Sequence, residues 1–482
     1  MKKLISLLLL FCMVLGLVAC GSSQTPADGA ADGTTAAQSS GEFLVGYGKV
    51  NITCEYSVPL RGYGDTEKRM SNGYTDYIYA TCVAITGTNG ETVIAFGIDL
   101  TNAFTEPFTR FRNAVAKACD IPVENVHMSC SHMHSGCDMT MTKISNVNTY
   151  INDCEKWFVE AAEMAMEDRK PATIGYADTY TENMNFVRRY YRADGTPAGD
   201  NYGNFSDAPI TEHESEVDNQ LQVIRFFRED GKDIIMANFQ MHPHRNGGSK
   251  NLNMTADIPG VFRNELENQL GVNVVYFTGA SGNVNPTSRI TEENITADYK
   301  EQGKALAQYV IDLEGKYTDI PVGEVHTLTQ EFTGETDHSM DHKVNEARYL
   351  QDILDAGGNF NDYMDFAQEH GFNSKFSPAC VIRKAGYGDT RTTGVFAFSV
   401  ANLGFAVVPF EMFDTNGKFV KDNSPFAETF VLTCANQHNT YLPSALGYQN
   451  GGYEVDQTYF APGTGEVIAD LYVEMLTELS NR

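Results

Sequence analysis

Positive charge is scarce in this chain. Its 35 lysines and arginines stand against 63 aspartates and glutamates, a net charge of −28 over 482 residues. Nucleic-acid binding needs a basic face to neutralise phosphates, so that class of partner is excluded, as is broad adhesion to anionic lipid. Long apolar runs are also missing: the one that stands out, Leu4 to Leu17, is too short for an ordinary membrane span. There is no CxxC pair, and the cysteines show no disulfide spacing. Several of them, such as Cys82 and Cys434, sit inside apolar runs and read as small core residues. There is no internal repeat and no charge run long enough to form a tail.

The N-terminus has the form of a leader. Lys2 and Lys3 precede the apolar run, and Leu17-Val18-Ala19-Cys20-Gly21 follows it. The small residues before Cys20 resemble a bacterial lipobox. Residues 1–19 are therefore expected to be a lipoprotein signal peptide, cut so that Cys20 becomes the lipidated N-terminus. Residues 20–41 are rich in Gly, Ala, Ser, Thr and Asp and cannot bury enough apolar surface to fold. They read as a flexible tether spanning roughly 25 Å. The expected location is the cell membrane, lipid-anchored and facing outside the cytoplasm. Residues 42–482 remain for the folded part.

Hairpins dominate that part. Ile78–Ile85 and Thr92–Leu100 flank an Asn89-Gly90 turn, and Leu221–Phe227 and Asp233–Met241 flank Asp230-Gly231. Gly394–Ala401 and Gly404–Val408 form a third. Asn273–Phe277 and Phe430–Ala435 read as further strands. Helical spacing covers 104–118, 150–167, 258–270, 299–313, 344–356, 412–421 and 466–479. This predicts an α/β fold of the α+β type, a layered sandwich of mixed, largely antiparallel sheets with helices on the outer faces.

Two segments carry the chemistry. Val126 to Gly136 contains His132-Met133-His134, and Ile234 to His244 ends in His242-Pro243-His244. Residues two apart on a strand share a face, so each pair is expected to present two imidazoles together where an apolar strand opens into a loop. That arrangement suits a metal ligand beside a catalytic acid or base. A lone strand histidine is commonly structural; two such pairs among 11 histidines point to a metal site.

With these segments in hand, the chain resembles the neutral/alkaline, non-lysosomal ceramidase family, as a bacterial lipoprotein member. The resemblance runs from about Val45 to about Tyr459. It includes Val45-Gly46-Tyr47-Gly48-Lys49, Pro59-Leu60-Arg61-Gly62-Tyr63-Gly64, Tyr79 to Ile85, Ser131 to Gly136, Asn238 to Pro243, Gly279 to Pro286, Pro409-Phe410-Glu411, Thr440-Tyr441 and Tyr453-Glu454. It implies a zinc amidase that cleaves the N-acyl bond of ceramide or a related lipid-like amide. It implies His132, His242, Glu411 and Tyr441 as Zn2+ ligands, the last unusual because phenolate is not a common zinc ligand. It implies His134 as proton carrier or oxyanion donor, with an arginine and Tyr453 beside it. Arg188 is the choice for the arginine, with Arg189 as the alternative.

Departures from the family pattern bear on substrate. Asn285 stands where the family has a serine, in Gly282-Asn283-Val284-Asn285-Pro286, so a covalent serine mechanism is excluded there. His244 and Arg245 replace small or polar residues and are expected to narrow the pocket or bind an anionic group. Asp257 reads as a helix cap or a partner to a ligand. The chain stops about 40 residues after Tyr441, so an additional C-terminal β-sandwich domain is expected to be missing. The alternatives are a hydrolase of another small amide or ester, and a non-catalytic binding lipoprotein on the same fold.

Overall fold

The computed structural model describes residues 41–64, 66–246, 248, 250–290 and 298–482. The expected signal peptide and all of the tether except Gly41 lie outside the described residues.

Asn89-Gly90 turns the chain as its sequence predicts. Tyr79–Thr86 and Thr92–Ile98 pair antiparallel with Thr86 opposite Thr92, and Gly90 takes a positive φ of 82° that favours glycine. This hairpin is the start of a nine-stranded sheet. Eight of its strands run in the order Asn273–Thr278, Ile234–Phe239, Gln220–Arg228, Lys170–Tyr180, Leu44–Asn51, Tyr79–Thr86, Thr92–Ile98 and Val126–Cys130; the ninth, Thr318–Ile320, pairs with Lys170–Tyr180. The two end pairs are parallel and the interior pairs antiparallel. A second sheet orders Val325–Glu335, Thr390–Val400, Leu403–Val407 and Glu428–Leu432, the last pair parallel.

Side-chain alternation then builds four layers. Val83, Ile85, Val93 and Ala95 face Phe398, Phe405, Phe430 and Leu432 of the second sheet. Cys82, Ala84, Ile94 and Phe96 point the other way, onto Phe108, Phe111 and Phe158. Those rings come from the helices Thr105–Cys119 and Ser145–Glu167. Farther along the same face, Asp257–Leu270 and Tyr299–Ile311 cover Leu221, Val223, Ile235 and Ala237. Thr464–Ser480 covers the outer face of the second sheet. The order helix, sheet, sheet, helix is the expected fold class.

The Val45-Gly46-Tyr47-Gly48 alternation has a packing cause. Val45 and Tyr47 enter the space between the sheets. Gly46 and Gly48 face the long helix, where an added Cβ would stand 2.0 Å from the Ala165 carbonyl oxygen and 1.9 Å from that of Ala161. Only glycine lets helix and strand approach so closely.

Three differences from the sequence reading stand out. Leu44–Asn51, Lys170–Tyr180 and Val325–Glu335 are strands that it did not identify. Val325–Glu335 keeps most of its side chains at least partly exposed, so its polar residues hide the pattern. The helix expected over 412–421 begins at Asp414, because Glu411 and Met412 pair in parallel with Tyr441 and Leu442.

The two sheets are stitched together at one end. Beyond Leu432, Thr433 N donates to Thr278 O at 2.9 Å and Asn436 N to Met128 O at 2.8 Å, while Cys130 N donates to Cys434 O at 3.2 Å. The carboxyl ends of Val126–Cys130, Asn273–Thr278 and Glu428–Leu432 therefore meet in one place.

Candidate metal centre

His132 lies at that meeting point, but not on a strand. The strand ends at Cys130, and His132 has a φ of +65°. A left-handed histidine is unusual and strained. The sequence reading attributed the convergence of His132 and His134 to strand alternation; the structure attributes it to this turn, which brings the ring centroids to 5.1 Å. His132 N and Nδ1 are held by Leu100 O and Thr101 O at 3.0 and 2.7 Å. His242 is anchored in the same way, with Nδ1 on Ser281 O at 2.7 Å. Each backbone oxygen accepts a proton from Nδ1, so in the neutral ring the Nε2 lone pair is the one aimed inward.

Both Nε2 atoms converge on Glu411. His132 Nε2 and His242 Nε2 each lie 3.3 Å from the same oxygen, Glu411 Oε2. His242 Nε2 and that oxygen are buried without a hydrogen-bond partner. With both rings neutral, two nitrogen lone pairs would face one carboxylate oxygen, a repulsion relieved by a proton on His132 or by a metal cation among the three. Burial opposes charge on all three groups. Nevertheless Cys434 and Glu411 push His132 well above its ordinary pKa, and the two histidines hold Glu411 well below the usual carboxylate range. Burial, then Arg188 and His132, lower His242. The cluster thus draws in positive charge, and its N, N, O donor set suits zinc.

Tyr441 is brought beside Glu411 by strand pairing, in which the two residues are direct partners. Its hydroxyl accepts a hydrogen bond from Arg188 Nη2 at 3.1 Å, and its ring stacks over His242 at 6.5 Å between centroids. Burial and Glu411 raise the Tyr441 pKa, while Arg188 acts to lower it. Thr440, just before it, has a φ of +61°, a rare state for a β-branched residue.

A cavity of about 550 Å³ opens over this cluster. It is lined by six of the seven predicted site residues: His132, His134, Arg188, Glu411, Tyr441 and Tyr453. His242, the seventh, is fully buried beneath. His134, His132 and His242 offer nitrogen atoms all within 4.8 Å of one another. His134 Nδ1 has no partner, and its ring packs against Tyr63. Burial and the neighbouring imidazoles of His132, His244 and His242 keep it neutral. Gly62 makes room for it: its φ is +119°, and an added Cβ would lie 2.3 Å from that of His134.

The two adjacent arginines part ways. Arg188 reaches the cavity, donating to Tyr441, to Gly282 O at 2.9 Å and to Glu454 Oε1 at 2.8 Å. Arg189 turns away to Glu214 and to Glu454 Oε2, both under 3 Å. Asn285 accepts from His244 Nε2 at 3.0 Å and donates to Asp200. Asp257 begins its helix but does not cap it: the cap position is Ala256, and the Asp257 carboxylate accepts from Ile258 N and from Asn246 N in the preceding loop. The sequence reading missed Arg61, Asn102, Asp200 and His438, which also line the cavity. The nearness of His438 to Tyr441 in sequence was the available signal.

No protein-family model matches the chain, and no curated protein matches it. Solved structures do. The neutral ceramidase of Pseudomonas aeruginosa superposes with a TM-score of 0.68 at 17% identity, covering 92% of this chain and 75% of that one. A ceramidase complexed with C2 gives a TM-score of 0.64 at 17% identity, covering 92% and 76%. The chain has the fold of the neutral ceramidases.

Proposed function

We propose that the chain is a zinc-dependent amide hydrolase that cleaves the N-acyl bond of ceramide or a related amide. The observation that carries this is the convergence of His132 Nε2, His242 Nε2 and Glu411 Oε2 under an open cavity. Two solved ceramidases with this fold support it. His132, His242 and Glu411 would hold the ion, with Tyr441 as the fourth ligand. Bound zinc supplies Lewis acidity and a water acidified toward neutral pH.

The chain's own residues supply the rest. His134 is neutral and its Nδ1 is uncommitted, so it can take a proton during attack on the amide and return it to the leaving amine. Tyr453, its phenol kept protonated by burial, is a hydrogen-bond donor for the carbonyl oxygen as charge develops there. Arg188 fixes the Tyr441 oxygen and adds positive charge beside it. With Asn285 in the serine position, a covalent serine mechanism is unavailable at that place. The leader through Cys20 supports lipid attachment outside the cytoplasm.

The test is release of fatty acid or free amine from a panel of N-acyl substrates that includes ceramides. Zinc-loaded protein should act, chelation should abolish the activity, and zinc should restore it. Failure to cleave any N-acyl substrate would overturn the reading.

A further inference from the structure

The cavity walls do not suit two alkyl chains. Among the described residues, no alanine, valine, leucine, isoleucine or methionine lines it. Its apolar surface comes from the rings of Tyr63, Phe376, Tyr441 and Tyr453. Each buried methylene contributes about 0.8 kcal/mol only when it meets an apolar wall.

One wall instead presents uncommitted donors. Arg61 Nη1 is pinned at 3.1 Å by Asp138, a buried carboxylate whose other oxygen is taken by Thr140 N and Oγ1. The guanidinium lies 5.4 Å from the Phe104 ring centroid and is about a third exposed. Arg61 lines the cavity, and among the described residues no hydrogen bond engages its Nε–Nη2 edge. The same Phe104 ring meets the edge of His438 at 5.6 Å. Asn102 Nδ2 lies 3.1 Å from His438 Nδ1. An amide nitrogen only donates, so it fixes the His438 proton on Nε2. Two donors therefore share one aromatic platform beside the metal cluster. The other carboxylates of the cavity are engaged elsewhere: Glu411 with His132 and His242, and Asp200 with Asn285. The chain as a whole carries −28, so these donors are a local feature of the wall and not part of a basic face.

We propose that Arg61 and His438 form a carboxylate subsite, and that the amide cleaved here carries a carboxylate, as in an N-acyl amino acid. This rests on the amide-hydrolase reading and narrows its substrate. A carboxylate matches the Nε–Nη2 edge of a guanidinium with two parallel hydrogen bonds.

The test compares two ligands of equal shape, N-benzoylglycine and N-benzoylglycinamide, by calorimetry on the chelated, metal-free chain. The carboxylate should bind at least tenfold more tightly than the amide. Arg61→Gln, which keeps a donor for Asp138, should abolish the difference, and Arg61→Lys should keep part of it. Equal binding of the two ligands by the unaltered protein would overturn the proposal, as would a preference that survives Arg61→Gln. Hydrolysis by the zinc-loaded enzyme separates this failure from that of the amidase reading. Cleavage of ceramide with no preference for the carboxylate ligand leaves the amidase and removes the subsite. Selective carboxylate binding with no hydrolysis of any amide removes the amidase and leaves the subsite.

Discussion

His134 is placed by a residue it never bonds to. Gly62 has a backbone that other residues resist, and its missing Cβ is the space that His134 occupies. Gly62→Ala should therefore retain metal and lose turnover, like His134→Ala, for which a drop of about two to four decades is expected. Steady-state kinetics with metal analysis checks both, and unchanged turnover in His134→Ala would return that residue to a packing role. Glu454 is the second test at this scale. Among the described residues it alone joins Arg188 to Arg189, with both oxygens engaged and 2% exposure. Glu454→Gln should cost about 3–5 kcal/mol in denaturant unfolding, because it leaves buried guanidinium charge without its partner. A loss below about 1 kcal/mol would show that the arginines find other partners. The histidine pairs pointed to a metal site from the residues themselves, whereas Glu411 and Tyr441 entered only through the family resemblance. The choice of Arg188 over Arg189 was not, since neighbouring residues have the same composition and only the fold decides which one turns inward.

Short elements, not long ones, hold the site. Glu411–Met412 and Tyr441–Leu442 are two residues each, below any length that periodicity detects. Their pairing nevertheless brings Tyr441 to Glu411. The long helices and hairpins were legible because their faces are buried on one side. The helix Tyr453–Gln457 gives a pH prediction. Its Asp456 accepts hydrogen bonds from Ser374 and Ser377, yet burial pushes its pKa up to about 6. Burial does the same to Asp257 and Asp414. A raised folded-state pKa means that the folded chain holds these protons when the unfolded chain has lost them. Their contribution to stability is present below the ordinary value of 3.8 and is lost as pH rises to about 6. Asp456→Asn, which imitates the protonated form, should flatten this part of the profile, and unfolding measured from pH 4 to 7 reads it. A profile equally steep in the variant would contradict the assignment.

At the scale of the whole chain, the four layers bring three strand ends to one point, and the tie through Thr433 to Asn436 keeps the second sheet there. The fold class was legible because hairpin turns and alternating strands are local signals. The site was legible only in part, because the left-handed turn at His132 and the donors of Arg61 and His438 depend on contacts between distant segments. The central claim is that the convergent nitrogens and carboxylate hold one ion. The measurement that tests it most directly is elemental analysis of the purified chain beside His132→Ala, His242→Ala and His134→Ala. The account predicts about one zinc per chain, lost in the first two variants and kept in the third. No bound zinc after reconstitution, or equal zinc in His132→Ala and the unaltered chain, would contradict it.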